Sequence, residues 1–198
     1  MCGICGVFGS TSAVMHTQVL KMADSLAHRG PDDHGVYLDE LCALGHRRLS
    51  IIDLSLQGKQ PMHNEFETVW TVVNGEIYNY KELRRDLETR GHRFYSNSDS
   101  EVVVHAYEEY GGHFLRVLHG MFALAVYDSK ERKLILARDR VGKKPLYCAW
   151  DQQTLLFASE VKAIIAAGFH APPNYSALPY WLQYQYLPGD ETMFRGVW

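Results

Sequence analysis

The second half of the chain is a succession of hairpins, and this constrains the fold more than any other feature of the sequence. "MFALAVYD" is followed by the polar turn "SKER" and by "KLILARD", and "PLYCAWD" by the turn "QQ" and "TLLFAS". Runs of apolar and aromatic residues bounded by such turns predict paired strands. Strands joined this tightly are antiparallel, because a parallel connection needs a crossover of about a dozen residues or more. A short helix over "EVKAIIAAG" closes the series.

The first half supplies further strands and the helices. "ICGVF" predicts a short buried strand, "HGVYLD" and "LCALGHRRL" a pair across a turn, and "ETVWTVVNG" a strand that runs into a glycine. In "SAVMHTQVLKMADSLAHRG" the residues Met15, Val19, Met22, Ala23 and Leu26 share one helical face, with Gly30 and Pro31 as the expected stop. "YKELRRDLETRG" predicts a surface helix with Asn79 as N-cap, Leu83 and Leu87 facing inward and Gly91 beyond its end. "SDSEVVVHAYEEYG" predicts another, where Ser98 and Glu101 have capping-box spacing. Two blocks of strands with amphipathic helices between them predict an α+β domain: two packed antiparallel sheets with helices on their outer faces, a four-layer αββα sandwich.

Composition excludes several classes of function. At 198 residues, 46% hydrophobic and 22% charged, the chain can bury a core as one globular domain. Its formal charge of -3 is spread among mixed signs, so no nucleic acid and no membrane is expected as a partner. No stretch approaches the roughly 18 apolar residues of a membrane span. The N-terminus has neither the basic region nor the apolar run of a signal peptide, and a cytoplasmic location is expected. No repeat or linker is seen before about Ala171, where "APPNYSALPYW" breaks the periodicity. The final "YLPGDETMFRGVW" is apolar and strand-like, an ending that suggests a piece of something longer.

The N-terminus reads "MCGICGVFGS", a C-x-x-C at Cys2 and Cys5. A structural zinc site wants four ligands, and neither Cys42 nor Cys148 has a ligand-spaced partner while the histidines are scattered; no metal is expected. A thioredoxin-like pair wants its first cysteine at a helix N-terminus, not in a glycine-flanked strand. Cys5 reads as a small buried apolar residue. Cys2 differs by position: loss of Met1 would give it a free α-amine beside its own thiol. With a reference pKa of roughly 7.7 to 8.0, that amine can act as a base near neutral pH. Nucleophile and base would then belong to one residue. Gly3 would let the backbone pass close to a substrate.

An acyl-transfer nucleophile also needs donors for the developing oxyanion. In "VNGEIYN" the side-chain amide of Asn74 and the backbone N–H of Gly75 can supply them, although an Asn-Gly hairpin turn is the plain alternative. Arg48 in "HRRLSII" can fork a carboxylate, and Asp99 in "SDSE" can hold an ammonium; taken singly they read as a surface cation and a capping residue. A substrate with both groups and a scissile carbonyl is an amino acid bearing a side-chain amide.

The blocks "MCGICGVFG", "HRGPDDHG", "GHRRLSIIDLS", "GKQPM", "NGEIYNY", "SDSE", "GMFALAVYD", "RDRVGKKPLY" and "FASEVKA" run in order from residue 2 to about 162. Together they resemble the N-terminal glutaminase domain of glutamine-hydrolysing asparagine synthetases, a class II glutamine amidotransferase of the N-terminal-nucleophile hydrolase type. The resemblance implies that Cys2, freed by loss of Met1, attacks the side-chain amide of glutamine, giving a thioester and ammonia before water releases glutamate. It assigns Asn74 and Gly75 as oxyanion donors, Arg48 as the α-carboxylate clamp, and Glu76 and Asp99 to the α-amine. Leu49, Ser50, Ile51 and Ile52 would line the pocket through their backbone, and Arg29 to Asp33 would shape it.

The same resemblance implies residues 1–170 as the glutaminase domain and 171–198 as its end, cut before a synthetase domain absent from this chain. That domain would accept the ammonia and use ATP and Mg²⁺, so no cofactor is expected within these residues. A missing last strand would leave a sheet edge unpaired. Three alternatives stay open: a glutaminase domain serving another acceptor, a catalytically silent relative, and a metal or redox protein using Cys2 and Cys5. A homodimer is also left open.

Overall fold

A computed structural model describes residues 1–198. Nine strands form two sheets in which every named pairing is antiparallel. The first sheet contains β1 (Gly3–Phe8), β2 (Asp33–Leu38), β3 (Cys42–Arg48), β8 (Tyr147–Asp151) and β9 (Thr154–Ala158) in the order β2-β3-β1-β9-β8. The second contains β4 (Met62–His63), β5 (Val69–Ile77), β6 (Gly120–Asp128) and β7 (Lys133–Arg138) in the order β4-β5-β6-β7. Both predicted hairpins are present, β6-β7 around residues 129–132 and β8-β9 around Gln152 and Gln153.

The helices cover the outer faces. On the first sheet lie α1 (Ser12–Ser25) and α4 (Val161–Ala166); on the second lie α2 (Tyr80–Thr89) and α3 (Val102–Tyr110). A further helix, α5 (Leu178–Tyr184), has no buried residue. No helix is long and apolar enough to cross a membrane.

Alternation along the strands sorts the core into three layers. Between the sheets lie Ile4, Leu44, Val72, Ala123, Tyr127 and Phe157. Beneath α1 lie Cys5 and Val7 with Met15, Val19, Met22 and Leu26, the helical face expected from the sequence. Beneath α2 and α3 lie Val73 and Ile77 with Leu83, Leu87 and Val102. Phe157 is fully buried and touches the backbone of β1: a Cβ on Gly6 would stand 2.3 Å from its ring. Truncation of Phe157 to Ala would cost about 3–5 kcal/mol in lost burial and residual cavity.

Four local expectations are corrected. Helix α1 stops at Ser25, well before Gly30 and Pro31. Residues 26–29 continue as turns, and Gly30 lies so close to β3 that a Cβ would meet the Arg47 carbonyl carbon at 2.3 Å. Asn79 stands at the start of α2 but does not cap it. Its amide bridges to the residues before β6, donating to the Val117 carbonyl at 2.9 Å and accepting from the His119 N–H at 2.9 Å.

Ser98 accepts from the Ser100 N–H, but Glu101 closes no capping box with it; its carboxylate accepts from the Tyr95 and Ser96 N–H groups, both at 2.8 Å. At the C-terminus, Trp198 exchanges two 2.9 Å backbone hydrogen bonds with Cys148, so the outer edge of β8 is paired there.

Candidate active site

Strand parity brings the predicted residues together. On β1 and the residue preceding it, Cys2 falls on the same face as Ile4, which packs between the sheets; on β5, Asn74 shares the inward face of Val72; on β3, Arg48 shares that of Leu44. All three converge on one cavity at the end of the sandwich. Cys2, Arg48, Leu49, Ile51, Ile52, Asn74, Gly75, Glu76 and Asp99 line it. Ser50 does not; its N–H turns away to donate to the Asp32 carboxylate at 2.8 Å.

The Cys2 thiol lies against the backbone of Leu49, whose N–H points at Sγ across 3.4 Å and whose carbonyl lies 3.7 Å away. Burial raises the thiol pKa above its ordinary value, opposed by the Leu49 N–H, the nearby terminal amine and Arg48, with Asp99 adding to the rise. The Cys2 carbonyl accepts from Arg29 Nε at 2.9 Å, and Arg29 is held in turn by Glu160 at 2.8 Å. Arg29 of the "HRGPDD" segment therefore holds the backbone of Cys2 in place.

Asn74 is buried to 1% exposure, and its Nδ2 has no hydrogen-bond partner. A buried amide N–H₂ without an acceptor is costly unless something else is meant to occupy it. The Asn-Gly pair makes no turn: β5 continues straight through it to Ile77. Glycine is demanded by β6, because a Cβ at position 75 would stand 2.1 Å from the Met121 carbonyl oxygen. The N–H of Val73 donates to Gln60 Oε1 at 2.6 Å and that of Ile77 to Asp99 Oδ2 at 2.8 Å. Alternate residues of a strand point their N–H groups to the same side. That of Gly75 therefore turns away from β6 and towards the cavity.

The Arg48 guanidinium is 7% exposed and is fixed by the backbone carbonyls of Ser55, at 2.8 Å, and Asp53. Two of its five N–H donors are thus engaged and the rest remain for a ligand. Glycine at 58 makes room, since a Cβ there would meet Nη2 at 2.3 Å. Asp99 is 5% exposed, and burial followed by the charge of Glu76 raises its pKa against the hydrogen bonds it accepts.

The cavity is also lined by residues that the sequence reading did not single out, among them Lys144, Met121 and Gln60. Lys144 is 8% exposed with Nζ 3.2 Å from the Met1 sulfur at the cavity mouth. Met121 lies on β6 across from Glu76. Gln60 pairs with both backbone groups of Val73, donating to its carbonyl at 3.2 Å while accepting its N–H. Only "GKQPM" and "RDRVGKKPLY" hinted at Gln60 and Lys144, as blocks without assigned roles. Cys5 lies outside the cavity, fully buried under α1 with its thiol pKa pushed up to about 12 by burial.

The chain is similar to several known proteins. An asparagine synthetase [glutamine-hydrolyzing] of Zea mays is 44% identical over 167 residues, covering 83% of this chain and 28% of the relative. Asparagine synthetase [glutamine-hydrolyzing] 1 of Bacillus subtilis (strain 168) is 39% identical over 197 residues, covering 98% of this chain and 31% of the relative. The chain thus spans less than a third of the length of these relatives. Among solved structures, the glutamine phosphoribosylpyrophosphate amidotransferase of B. subtilis, complexed with ADP and GMP, superposes with a TM-score of 0.68 at 21% identity. The match covers 84% of this chain and 44% of that one. The expected α+β sandwich of two antiparallel sheets flanked by helices is the fold observed. The sequence model of the family described as "Glutamine amidotransferase domain" matches residues 1–198, and the chain belongs to that family.

Proposed function

We propose that this chain hydrolyses glutamine to glutamate and ammonia, with Cys2 as the nucleophile. The observation that carries the reading is the unpartnered Nδ2 of Asn74, buried at the cavity that Cys2 lines. After loss of Met1, the α-amine of Cys2 takes the thiol proton as sulfur attacks the side-chain carbonyl carbon. The oxygen becomes negative and accepts from Asn74 Nδ2 and the Gly75 N–H, which are held by strand β5 before the reaction begins. Collapse breaks the C–N bond, the α-ammonium returns its proton to the leaving nitrogen, and ammonia departs. Water, deprotonated by the same amine, attacks the thioester; C–S cleavage releases glutamate and restores the thiol. Arg48 binds the α-carboxylate, while Asp99 and Glu76 face the α-ammonium.

These steps use only groups of this chain and water. The ammonia acceptor is proposed to be a synthetase domain of the kind named in the relatives, with asparagine as product. The test is glutamate release from purified chain whose N-terminus is checked by intact mass. Release from the Cys2-terminal form and none from the Cys2→Ala variant is the expected result. Equal release from both would remove Cys2 from the reaction.

A further inference from the structure

On the far side of the second sheet, four chemistry-bearing side chains from three segments converge. Glu65 comes from the β4-β5 connection, His92 from the loop after α2, and His105 and Glu108 from adjacent turns of α3. One nitrogen or oxygen of each lies within 4.8 Å of the others. His105 is 0% exposed, yet neither ring nitrogen has a hydrogen-bond partner.

Its Nδ1 stands 3.7 Å from Glu65 Oε2 and 3.6 Å from Glu108 Oε2, and His92 Nδ1 stands 3.8 Å from the same Glu108 oxygen. These separations are too long for hydrogen bonds. They are a few tenths of an ångström above the edge of a tetrahedron built on zinc, about 3.3–3.4 Å for metal–ligand distances of 2.0–2.1 Å.

We propose that this cluster is a four-coordinate site for a divalent transition-metal ion of the zinc type, bound by Nδ1 of His92 and His105 and by Oε2 of Glu65 and Glu108. What surrounds the four favours it. The non-coordinating oxygen of each carboxylate is already fixed, Glu65 Oε1 by the Arg93 N–H at 2.6 Å and Glu108 Oε1 by Asn64 Nδ2 at 2.7 Å. The far nitrogens of both rings face further carboxylates, His105 Nε2 towards Glu101 at 3.6 Å and His92 Nε2 towards Glu109 at 3.6 Å. A carboxylate behind a ligating imidazole is the arrangement that sets its tautomer and orientation at metal sites. Glu109 is already paired with Arg90 at 2.8 Å, and the other three carboxylates around two imidazoles leave an excess of negative charge that a dication would offset.

The site would be structural. It would tie α3 to the β4-β5 connection and anchor His92, where the segment leading through Ser96 to Asp99 begins. Twelve residues separate the two histidines, so no ligand spacing in the sequence announces the site.

The test is to strip the purified chain with a chelator, confirm by circular dichroism that it is folded, and titrate it with Co²⁺ and then Zn²⁺. Expected are one ion per chain, the strong visible absorption of four-coordinate Co²⁺, its loss on adding Zn²⁺, and a thermal midpoint that rises with Zn²⁺ concentration. His92→Gln, at a partly exposed position, should weaken binding by at least about 100-fold, the upper end of what loss of an outer partner costs, while the chain stays folded, and Glu108→Gln should do likewise. Absence of saturable Co²⁺ binding by the folded chain overturns the proposal, as does binding that both variants leave unchanged.

Discussion

Cys2 and Cys5 stand three residues apart on the same stretch of backbone, and the structure gives them opposite surroundings. Cys2 opens onto a cavity with an amide donor, a guanidinium and a carboxylate around it; Cys5 lies in the apolar layer between β1 and α1, its sulfur 4.0 Å from the Val19 carbonyl. A strand reverses faces at every residue, so an odd separation sends the two thiols to different layers. The C-x-x-C spacing that suggests a shared metal or a redox pair on a helix forbids both on a strand. What distinguishes the residues is their neighbours, and each neighbour offers a way to break or sharpen the contrast.

The largest effect belongs to Cys2→Ala, which should reduce glutamate release by roughly four orders of magnitude or more, the scale seen when a catalytic nucleophile is deleted. Measured in the same assay, Asn74→Ala should lower kcat by about 10²–10³-fold with little change in fold, since it removes one oxyanion donor. A drop below tenfold would assign Asn74 to structure alone. Arg48→Lys should act on the other term, raising KM for glutamine about 10- to 100-fold through loss of a charged fork worth about 1.5–3 kcal/mol. Unchanged KM would take the α-carboxylate elsewhere.

Cys5→Ser inverts the pattern. An unpaired hydroxyl in the α1 layer should cost about 1–3 kcal/mol of stability, read by chemical denaturation, and leave kcat within a few-fold of the parent. A large loss of activity in a folded Cys5→Ser chain would revive a shared role for the two thiols.

The smallest effect concerns the Glu160–Arg29 link behind Cys2. Burial works against the Glu160 charge, but hydrogen bonds from Arg29, His28 and Lys162 outweigh it and bring the carboxyl to about 2 from an ordinary 4.5. A carboxyl with a lowered folded-state pKa stabilises above the unfolded value and loses that contribution as pH falls from about 4.5 to about 2. Glu160→Gln should therefore flatten this part of the acid limb in thermal midpoint against pH, and lower kcat at neutral pH by only a few-fold. An unaltered acid limb would mean that the link contributes nothing measurable.

Much of this was legible in the sequence because it is local. Alternation and short polar turns give the β6-β7 and β8-β9 hairpins, and helical periodicity gives the buried face of α1 residue by residue. The errors arose where a distant element decides. Asn79 looked like a cap, but β6 brings the Val117 carbonyl and His119 N–H within reach of its amide. Gly30 looked like a helix stop, but the helix ends earlier and Gly30 is needed where the chain crosses β3. For Gly75 the turn that local sequence left open as an alternative gives way to a strand, because the proximity of Met121 is what requires glycine there. The cavity was legible only as a set of residue types; that Ser50 turns aside, and that Lys144 and Gln60 turn in, depends on loops whose paths no short window contains.

The outer edge of β5 shows what this construction implies. Its ladder is continued by β4 at Trp70 and Thr71, by the Gln60 side chain at Val73 and by the Asp99 carboxylate at Ile77. At Gly75 alone the N–H is turned to the cavity between two filled rungs. Under the proposed mechanism, a substrate carbonyl that settles there would complete the sheet as a missing residue would, and recognition would be achieved by omission. The donor is rigid because its neighbours are occupied, and it cannot be loosened without unravelling the strand that carries it. In such a site, chemistry and architecture share a single point of failure.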